Sequence, residues 1–431
     1  MNNLEKINTF SIKQLRAQNL ERLALIFTSA WLLAFLFNFT VNKYINENSH
    51  HGWDIFDFIA DRWILIVDLR FQLGTSSDLN PYLSGRLEGY PPFPYLLLFF
   101  FRKVWELALI VFNPGDTFNT KYNILIPFSA YFITFIAGWL LFIKKICNPW
   151  GNIRYSILAA IFCYPVSFLI IRGNIDMMLF PMFLLFVYLW SNNSKLSYIP
   201  LGILMAYKPQ FLIFSSLYFF DRNYWQIIRC FTLAIFLTII SMLVINGDFS
   251  EQLANIVKQN ADVKEIFGVN NLGIRYGHSF LNLYKLLLMF LGVPGNTSLV
   301  IRIYEIFSLS ISSLIIIYMW VFKEKFAAYQ KLLIISILMC AVPYFSYDYK
   351  LIIFLPLIVL YSPYIQRGTY ILLVVLMLPK NFYFYSIAEF SHPQLQIGAF
   401  INPAILLTLL ILLLRPAKKD KVGNQCAIAS H

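Results

Sequence analysis

The sequence predicts an all-α polytopic membrane protein, a bundle of about 10–13 transmembrane or re-entrant helices. Three observations predict it. Hydrophobic residues make up 59% of the 431 and charged residues only 13%, about half the share a soluble domain uses to cover its surface. Apolar runs such as Leu23–Val41, Tyr122–Ile143 and Ile311–Val321 with its flanks approach or exceed the ~20 residues that cross a bilayer. The charge excess of +12, from 34 Lys+Arg against 22 Asp+Glu, falls almost entirely in segments that an alternating topology places inside: 1–22, 144–154, 195, 221–229, 323–331, 367 and 415–421. That is the positive-inside pattern. It excludes a soluble fold and leaves no excess charge for a nucleic acid to explain.

The elements follow in order. Leu23–Val41 has no small-residue cleavage pattern behind it and reads as a retained first span. Tyr122–Ile143 returns to Lys144-Lys145, Tyr155–Ile171 leads out to Arg172-Gly173-Asn174, and Ile175–Trp190 comes back to Lys195. Ser197–Phe220 is broken at Lys208-Pro209, where proline removes a donor and disfavours helix in the residue before it. Both of its ends carry inside-type charge, so it reads as a hairpin of two short helices. Trp225–Ile245 exits, Phe280–Leu291 is a short interfacial piece and Leu299–Phe322 returns. Leu332–Phe345 and Leu351–Tyr361 form a second candidate hairpin around Ser346-Tyr347-Asp348-Tyr349-Lys350. Tyr370–Leu378 goes out and Ala399–Leu414 comes back to a basic tail. No internal repeat is visible. Residues 1–22 are a cytoplasmic N-terminus, 23–415 one membrane domain with outside loops at 44–121 and 246–278, and 416–431 a cytoplasmic tail. None of the five cysteines falls in an outside segment, so neither a disulfide framework nor a zinc site is expected.

The first outside loop carries the most chemistry. Asp54, Asp57, Asp61 and Asp68 share one helical face, opposite Ile55, Phe58, Ile59, Ile66 and Leu69, as in an amphipathic helix lying in the interface. The stripe reads either as a solvated face or as a carboxylate held ready to act as a general base. Asn80-Pro81-Tyr82 and Tyr90-Pro91-Pro92-Phe93-Pro94 specify a rigid loop. The apolar piece Phe93–Phe112 is interrupted by Arg102, Lys103 and Glu106, which favours a pair of short interfacial or re-entrant helices over a span. Arg172 at a membrane boundary suits a phosphate or snorkels to headgroups. Lys208 inside an apolar segment is a site or a buried ion pair, and so are Asp348 and Lys350, which also have the option of neutralising each other. His50-His51 are adjacent on a loop and do not converge on an ion, so no metal is expected. No nucleotide-binding glycine loop or Ser-His-Asp order stands out.

A first span is followed by Trp53-Asp54-Ile55-Phe56-Asp57-Phe58, Asn-Pro-Tyr at 80–82 and Tyr-Pro-Pro at 90–92. Arg-Gly-Asn comes at 172–174, then Gly202 with Lys208-Pro209, and Ser-Tyr-Asp-Tyr-Lys at 346–350 running on to Leu355-Pro356. This order, over roughly residues 20–365, resembles the polyprenol-phosphate-mannose-dependent alpha-mannosyltransferase family of the GT-C superfamily. The resemblance implies a GT-C-like helical bundle in the cell (inner) membrane with its active site on the extracytoplasmic face. It implies transfer of mannose or a related hexose from a polyprenyl-phosphate carrier to a glycan or glycolipid acceptor among the membrane lipids, with inversion and without cofactor, metal or nucleic acid. Asp54, with Asp57 as alternate, takes the place of the family's base. Arg172, Lys208 and Lys350 are candidates for the donor phosphate; Tyr82, Tyr90, Asn174 and Asp348 are candidates for the substrate groove. A secondary transporter, or a polysaccharide polymerase, ligase or flippase, is the competing reading of the same bulk features.

Overall fold

The computed structural model describes residues 3–44, 68–69, 91–112, 125–147, 153–245, 247–269, 277–293, 297–344, 346, 348–380, 383–385, 394–396 and 398–416. Asp54, Asp57, Asp61, Tyr82 and Tyr90 lie outside the described residues. The architecture is all-α. Four helices are long and apolar enough to cross a membrane: Ser11–Leu36, Ile126–Ile146, Tyr224–Val244 and Ser298–Val321. A fifth candidate is the pair Ile153–Ile161 and Tyr164–Arg172, bent by 71° at its break. This is a multi-pass membrane protein. Two three-residue strands, Tyr383–Tyr385 (β1) and Gln394–Gln396 (β2), pair antiparallel and are the one addition to the helical class among the described residues.

The chain forms two compact units. A central unit comprises Asp61–Gly138 and Leu169–Lys264; a terminal unit comprises Met1–Ala60, Trp139–Phe168 and Glu265–His431. In chain order the helices are α1 Asn3–Tyr44, α2 Pro92–Phe112, α3 Leu125–Ile146, α4 Ile153–Ile161, α5 Tyr164–Arg172, α6 Asp176–Ser191, α7 Tyr198–Tyr207, α8 Ser216–Phe220 and α9 Tyr224–Val244. There follow α10 Phe249–Val263, α11 Phe280–Phe290, α12 Ser298–Val321, α13 Ala328–Ala341, α14 Phe354–Tyr361, α15 Arg367–Leu376 and α16 Gly398–Leu413.

In the central unit, α7 packs against α6 and α9. The approach of α7 to α9 is close at Gly202, where a Cβ would stand 2.9 Å from Leu233 Cδ2. After α7 the backbone of Lys208 turns extended (φ −133°, ψ 106°), as a residue before proline prefers, and the chain returns through a 3₁₀ turn, Pro209–Ser215, into α8. Tyr218 donates its hydroxyl to Ser197 Oγ at 2.8 Å. The two ends of the segment therefore lie side by side, and 197–220 is a hairpin with Lys208 at its tip. Gln226 joins the same level by donating to Lys195 O at 2.8 Å. One expectation is corrected here. Residues 93–112 are not two short helices but the single 21-residue helix α2. Its charges are spaced one turn apart and meet each other, with Arg102 Nε and Lys103 Nζ both 2.8 Å from the Glu106 carboxylate. Pairing at i,i+3 and i,i+4 removes the reason to break the helix. The segment 246–278 likewise contains a helix, α10, whose Gln252 amide donates to Met242, Ile245 and Gly247 carbonyls at 3.0–3.1 Å and so caps the end of α9.

In the terminal unit, α1 packs against α4 and α14, and α16 against α11, α13 and α15. The break between α4 and α5 precedes Pro165, and Tyr164 N donates instead to Met377 O at 3.0 Å. Arg16 donates to the last carbonyls of two helices, Leu360 at 2.9 Å and Ile146 at 3.3 Å. Gln330 donates to Leu413 and Arg415 carbonyls at 2.9 and 3.0 Å. Every element joined by these bonds is one whose charge assigns that end to the inside. The segment α13–α14 is a second hairpin: Tyr329 and Tyr361, near its two ends, have ring centroids 6.3 Å apart, and its tip is the 3₁₀ turn Asp348–Ile353.

Candidate functional site

Each hairpin carries an ionisable residue at its tip, and each tip meets polar groups from segments that the sequence places outside. In the central unit the meeting point is the turn between α5 and α6. Gly173 adopts φ +65°, a left-handed conformation that glycine alone enters without a Cβ penalty, so Arg172 and Asn174 both turn toward Asp68. Arg172 grips Asp68 with a two-pronged fork, Nε–Oδ2 at 2.8 Å and Nη2–Oδ1 at 2.5 Å, the geometry guanidinium and carboxylate share. Asn174 Nδ2 adds a third hydrogen bond to Asp68 at 2.8 Å. Asn174 Oδ1 in turn accepts from Asp176 N, the first residue of α6, at 3.0 Å. The Asp176 carboxylate takes Lys208 Nζ from the hairpin tip at 2.5 and 2.7 Å. The result is one continuous chain, Asp68–Arg172/Asn174–Asp176–Lys208. The side chains of the two ion pairs are 12–15% exposed, withdrawn from water but not sealed. Held this way, the two cations are oriented side chains with little freedom left to lose on meeting an anion.

A cavity of about 460 Å³ lies in the same unit. Phe101 and Val104 of α2, Tyr131 of α3, Met178 and Met182 of α6, and Tyr207 of α7 line it. Ile175, between Asn174 and Asp176, closes it, and Tyr207 precedes Lys208. An almost wholly apolar chamber thus adjoins a run of fixed charges. The hydroxyl of Tyr131 is buried and has no hydrogen-bond partner among the described residues.

In the terminal unit the tip residue is Asp348, 1% exposed. His278 donates Nδ1–H to Asp348 Oδ1 at 3.3 Å, and Asn402 Nδ2 donates to the same oxygen at 3.1 Å. Ser346 Oγ lies 3.0 Å from His278 Nε2, which makes the serine the donor and the imidazole the neutral Nδ1–H tautomer. His278 N also donates to Ser346 O at 3.0 Å. The connectivity is that of a Ser–His–Asp relay, which no spacing in the sequence announces; here it ties the 277–279 segment, the hairpin tip and α16 together. Burial holds the imidazole below its usual pKa, against the pull of Asp348, with Lys350 and Lys380 adding to the lowering. Lys380 itself is pushed down to about 8 by burial and gives its ammonium to the carbonyls of Val375, Leu376 and Leu378 at 2.9–3.2 Å. Lys350 is buried on the same 3₁₀ turn as Asp348.

Of the residues singled out from sequence, Arg172 and Asn174 are brought together on Asp68, Lys208 is brought to Asp176, and Asp348 to His278 and Asn402. Four partners were not singled out: Asp68, Asp176, His278 and Asn402. Asp68 belongs to the acidic stripe that was noticed as a whole. A lysine at the tip of an apolar hairpin requires a counter-ion, and Asp176 at the start of an apolar helix was the signal for it. His278 and Asn402 carry no local signal.

The sequence profile of Glycosyltransferase family 87 matches residues 89–343, more than half of the chain. The matched stretch takes in α2, the 172–174 turn, both α7 and Lys208, and His278. No curated protein matches the chain.

Proposed function

The chain belongs to glycosyltransferase family 87, and on that premise we propose that this membrane transferase moves a sugar from a polyprenyl-phosphate carrier to an acceptor on the extracytoplasmic face. The observation that carries the reading is the run of fixed charges beside an apolar cavity in the central unit. A carrier of this kind has a long hydrocarbon chain and an anionic head, and Arg172 and Lys208 stand where an apolar chamber ends. As the bond from anomeric carbon to phosphate oxygen breaks, the electron pair and a negative charge pass to the phosphate, and cations positioned beforehand stabilise that charge without reorganising. Lys350 is the candidate for the same task in the terminal unit.

The reaction is a single displacement with inversion. A carboxylate in the first loop takes the proton of the acceptor hydroxyl while its oxygen attacks the anomeric carbon from the side opposite the phosphate. Asp68 is not suited to this step, because its oxygens already accept three hydrogen bonds from Arg172 and Asn174. The role is assigned to Asp54, with Asp57 as alternate. Tyr82, Tyr90, Asn174 and Asp348 are proposed for the substrate groove. Mannose or a related hexose is the proposed sugar, a GT-C-like bundle the proposed architecture, and the inner membrane of a cell envelope the proposed location.

The test is transfer by the full chain reconstituted in vesicles and supplied with a labelled polyprenyl-phosphate hexose. Wild type is expected to release polyprenyl phosphate and label the acceptor, and Asp54→Asn to lose at least about 100-fold in rate, the scale of a general base. Full activity of both Asp54→Asn and Asp57→Asn overturns the assignment of the base. Failure of the folded wild type with every carrier-linked hexose overturns the donor.

A further inference from the structure

In the central unit, α10 is built the wrong way round for a helix in water. Its inward side carries the polar residues: Gln252, Ile256, Gln259 and Val263 follow at helical spacing, both glutamines buried and the two aliphatic side chains half-buried. Its outward side is apolar. Phe249, Leu253 and Val257, one turn apart and so on one face, are 52%, 44% and 68% exposed. A third face holds Glu251 and Lys258, both exposed, with Asp262 half-buried. Single exposed apolar residues are ordinary on a protein surface. A row of them backed by a polar inward side reverses the pattern of a helix that faces water.

The preceding span says what meets that row. Helix α9 is long and apolar enough to cross the membrane, and Ile228, Ile235, Ile239 and Leu243 are 45–76% exposed along it, as a lipid-covered side is. Leu243 stands in its last turn. The chain then bends at Gly247, whose φ is +117°, and α10 begins at Phe249. Gln252 is bound to the end of α9 through the carbonyls of Met242, Ile245 and Gly247. One turn further on, Ile256 packs against Ile245 and against Tyr95 in the first turn of α2. Residues 252 and 256 are therefore both held at the level where α9 ends, so this stretch of α10 runs along the boundary of the hydrocarbon and not away from it. At that depth an exposed apolar face meets acyl chains and a charged face meets headgroups and water.

We propose that α10 is a membrane-surface helix: Phe249, Leu253 and Val257 seat between headgroups and acyl chains of the bilayer that α9 crosses, and Glu251 and Lys258 stay in water. The partner is the lipid surface itself and not a particular lipid. Glu251 and Asp262 outweigh Lys258, so the helix offers no net positive charge to anionic headgroups and gains from apolar burial alone. Through Gln252 and Ile256 the seat anchors the end of α9 and the start of α2, whose Phe93, Leu97 and Phe101 line the central cavity. It thereby sets the depth of that cavity in the membrane. The inference is independent of the transferase reading.

Spin labels read the surroundings of each face directly. Nitroxides are attached to single cysteines in the full chain carrying Cys426→Ser; Cys147, Cys163, Cys230 and Cys340 are buried. The sites are Phe249→Cys, Leu253→Cys and Val257→Cys on the apolar row, and Glu251→Cys and Lys258→Cys on the charged face, all exposed positions where a label leaves the packing intact. In phosphatidylcholine nanodiscs, collision with oxygen, which concentrates in lipid, is compared with collision with a water-soluble nickel chelate. The oxygen-to-nickel ratio is expected to be at least about fivefold higher on the row than on the charged face, the contrast between acyl boundary and water. Adding phosphatidylglycerol should change it little. Ratios alike on both faces, with the chelate reaching every label, place α10 in water and overturn the proposal. Suppression of both collisions along the row overturns it too, because a second copy of the chain or another protein then covers that face. A paired change tests the cause: with Leu253→Glu and Val257→Glu, the label at 249 should lose its preference for oxygen. Retention of that preference shows that the row does not seat the helix.

Discussion

The two hairpins present opposite solutions to the same problem, which is how to place a polar tip at the end of an apolar segment. In the central unit the tip is a cation, Lys208, answered by the Asp176 carboxylate across 2.5 Å, and both side chains keep some exposure. In the terminal unit the tip is an anion, Asp348, which accepts from His278 and Asn402 in a sealed setting where the charge of buried Lys380 also acts on it. An ion pair near water relies on charge and tolerates rearrangement; a buried carboxylate relies on each hydrogen bond being made. The first arrangement suits a place where charge arrives and leaves. The second suits a fixed frame held by directional hydrogen bonds.

The sharpest way to break this comparison is to remove each tip. Asp348→Leu strands the donors of His278 and Asn402 in a closed site, and the expected loss is about 3–5 kcal/mol, the scale of a broken buried charge interaction. Asp348→Asn should recover part of it, since an amide oxygen still accepts. Unfolding of the purified protein in mixed micelles measures both. Equal stability of Asp348→Leu and wild type removes the distinction between the units. The matching change, Lys208→Met, is expected to cost less, about 1–3 kcal/mol, because Asp176 retains its access to water. Its effect should be mostly on transfer, and a double-mutant cycle with Asp176→Leu separates the two roles. A stability coupling without an activity deficit beyond that of Asp176→Leu would make Lys208 a structural residue only.

A pH titration sharpens the comparison further. His278 is folded with its pKa below the usual 6.5. Between the folded value and 6.5 the unfolded chain binds a proton that the folded chain does not, so stability falls as pH falls through that window and is fully present above it. The expected slope approaches about 1.4 kcal/mol per pH unit at most, and His278→Gln should flatten it. A slope unchanged in that variant would place the sensitive group elsewhere.

How much of this was legible in the sequence follows from the kind of interaction involved. Composition is summed over many residues, so the membrane class was readable. Lys208-Pro209 announced a hairpin because proline acts on its own neighbour. The clusters were only half legible. Arg172-Gly173-Asn174 shows a turn, but the partner that arranges it, Asp68, is 104 residues away in sequence. Asp348 stood out as a charge in an apolar stretch, while His278 and Asn402 are ordinary residues until the fold brings them within 3.3 Å of it. The unbroken α2 was misread because three charges were weighed singly, although at i,i+3 and i,i+4 they neutralise one another. Asp54, Asp57, Tyr82 and Tyr90 lie outside the described residues, and their roles rest on the sequence.

The smallest expected effect concerns how each cluster is aimed. In the central unit the aim depends on one backbone conformation, since Gly173 at φ +65° sets Arg172 and Asn174 on the same carboxylate. In the terminal unit no described residue of the cluster has a positive φ, and aim comes from the 3₁₀ turn and from α16. Gly173→Ala places a Cβ in the left-handed region and should cost about 1–2 kcal/mol, offset by a few tenths from the stiffer unfolded chain. Because the Arg172–Asp68 fork is directional, a small rotation of this turn should reduce donor use more than global stability. The expected signature is a raised KM for the carrier-linked hexose on top of that modest loss of stability. Should Gly173→Ala lower stability by that amount and leave the donor KM untouched, the turn is a folding device, and the central cluster owes its geometry to the ion pairs alone.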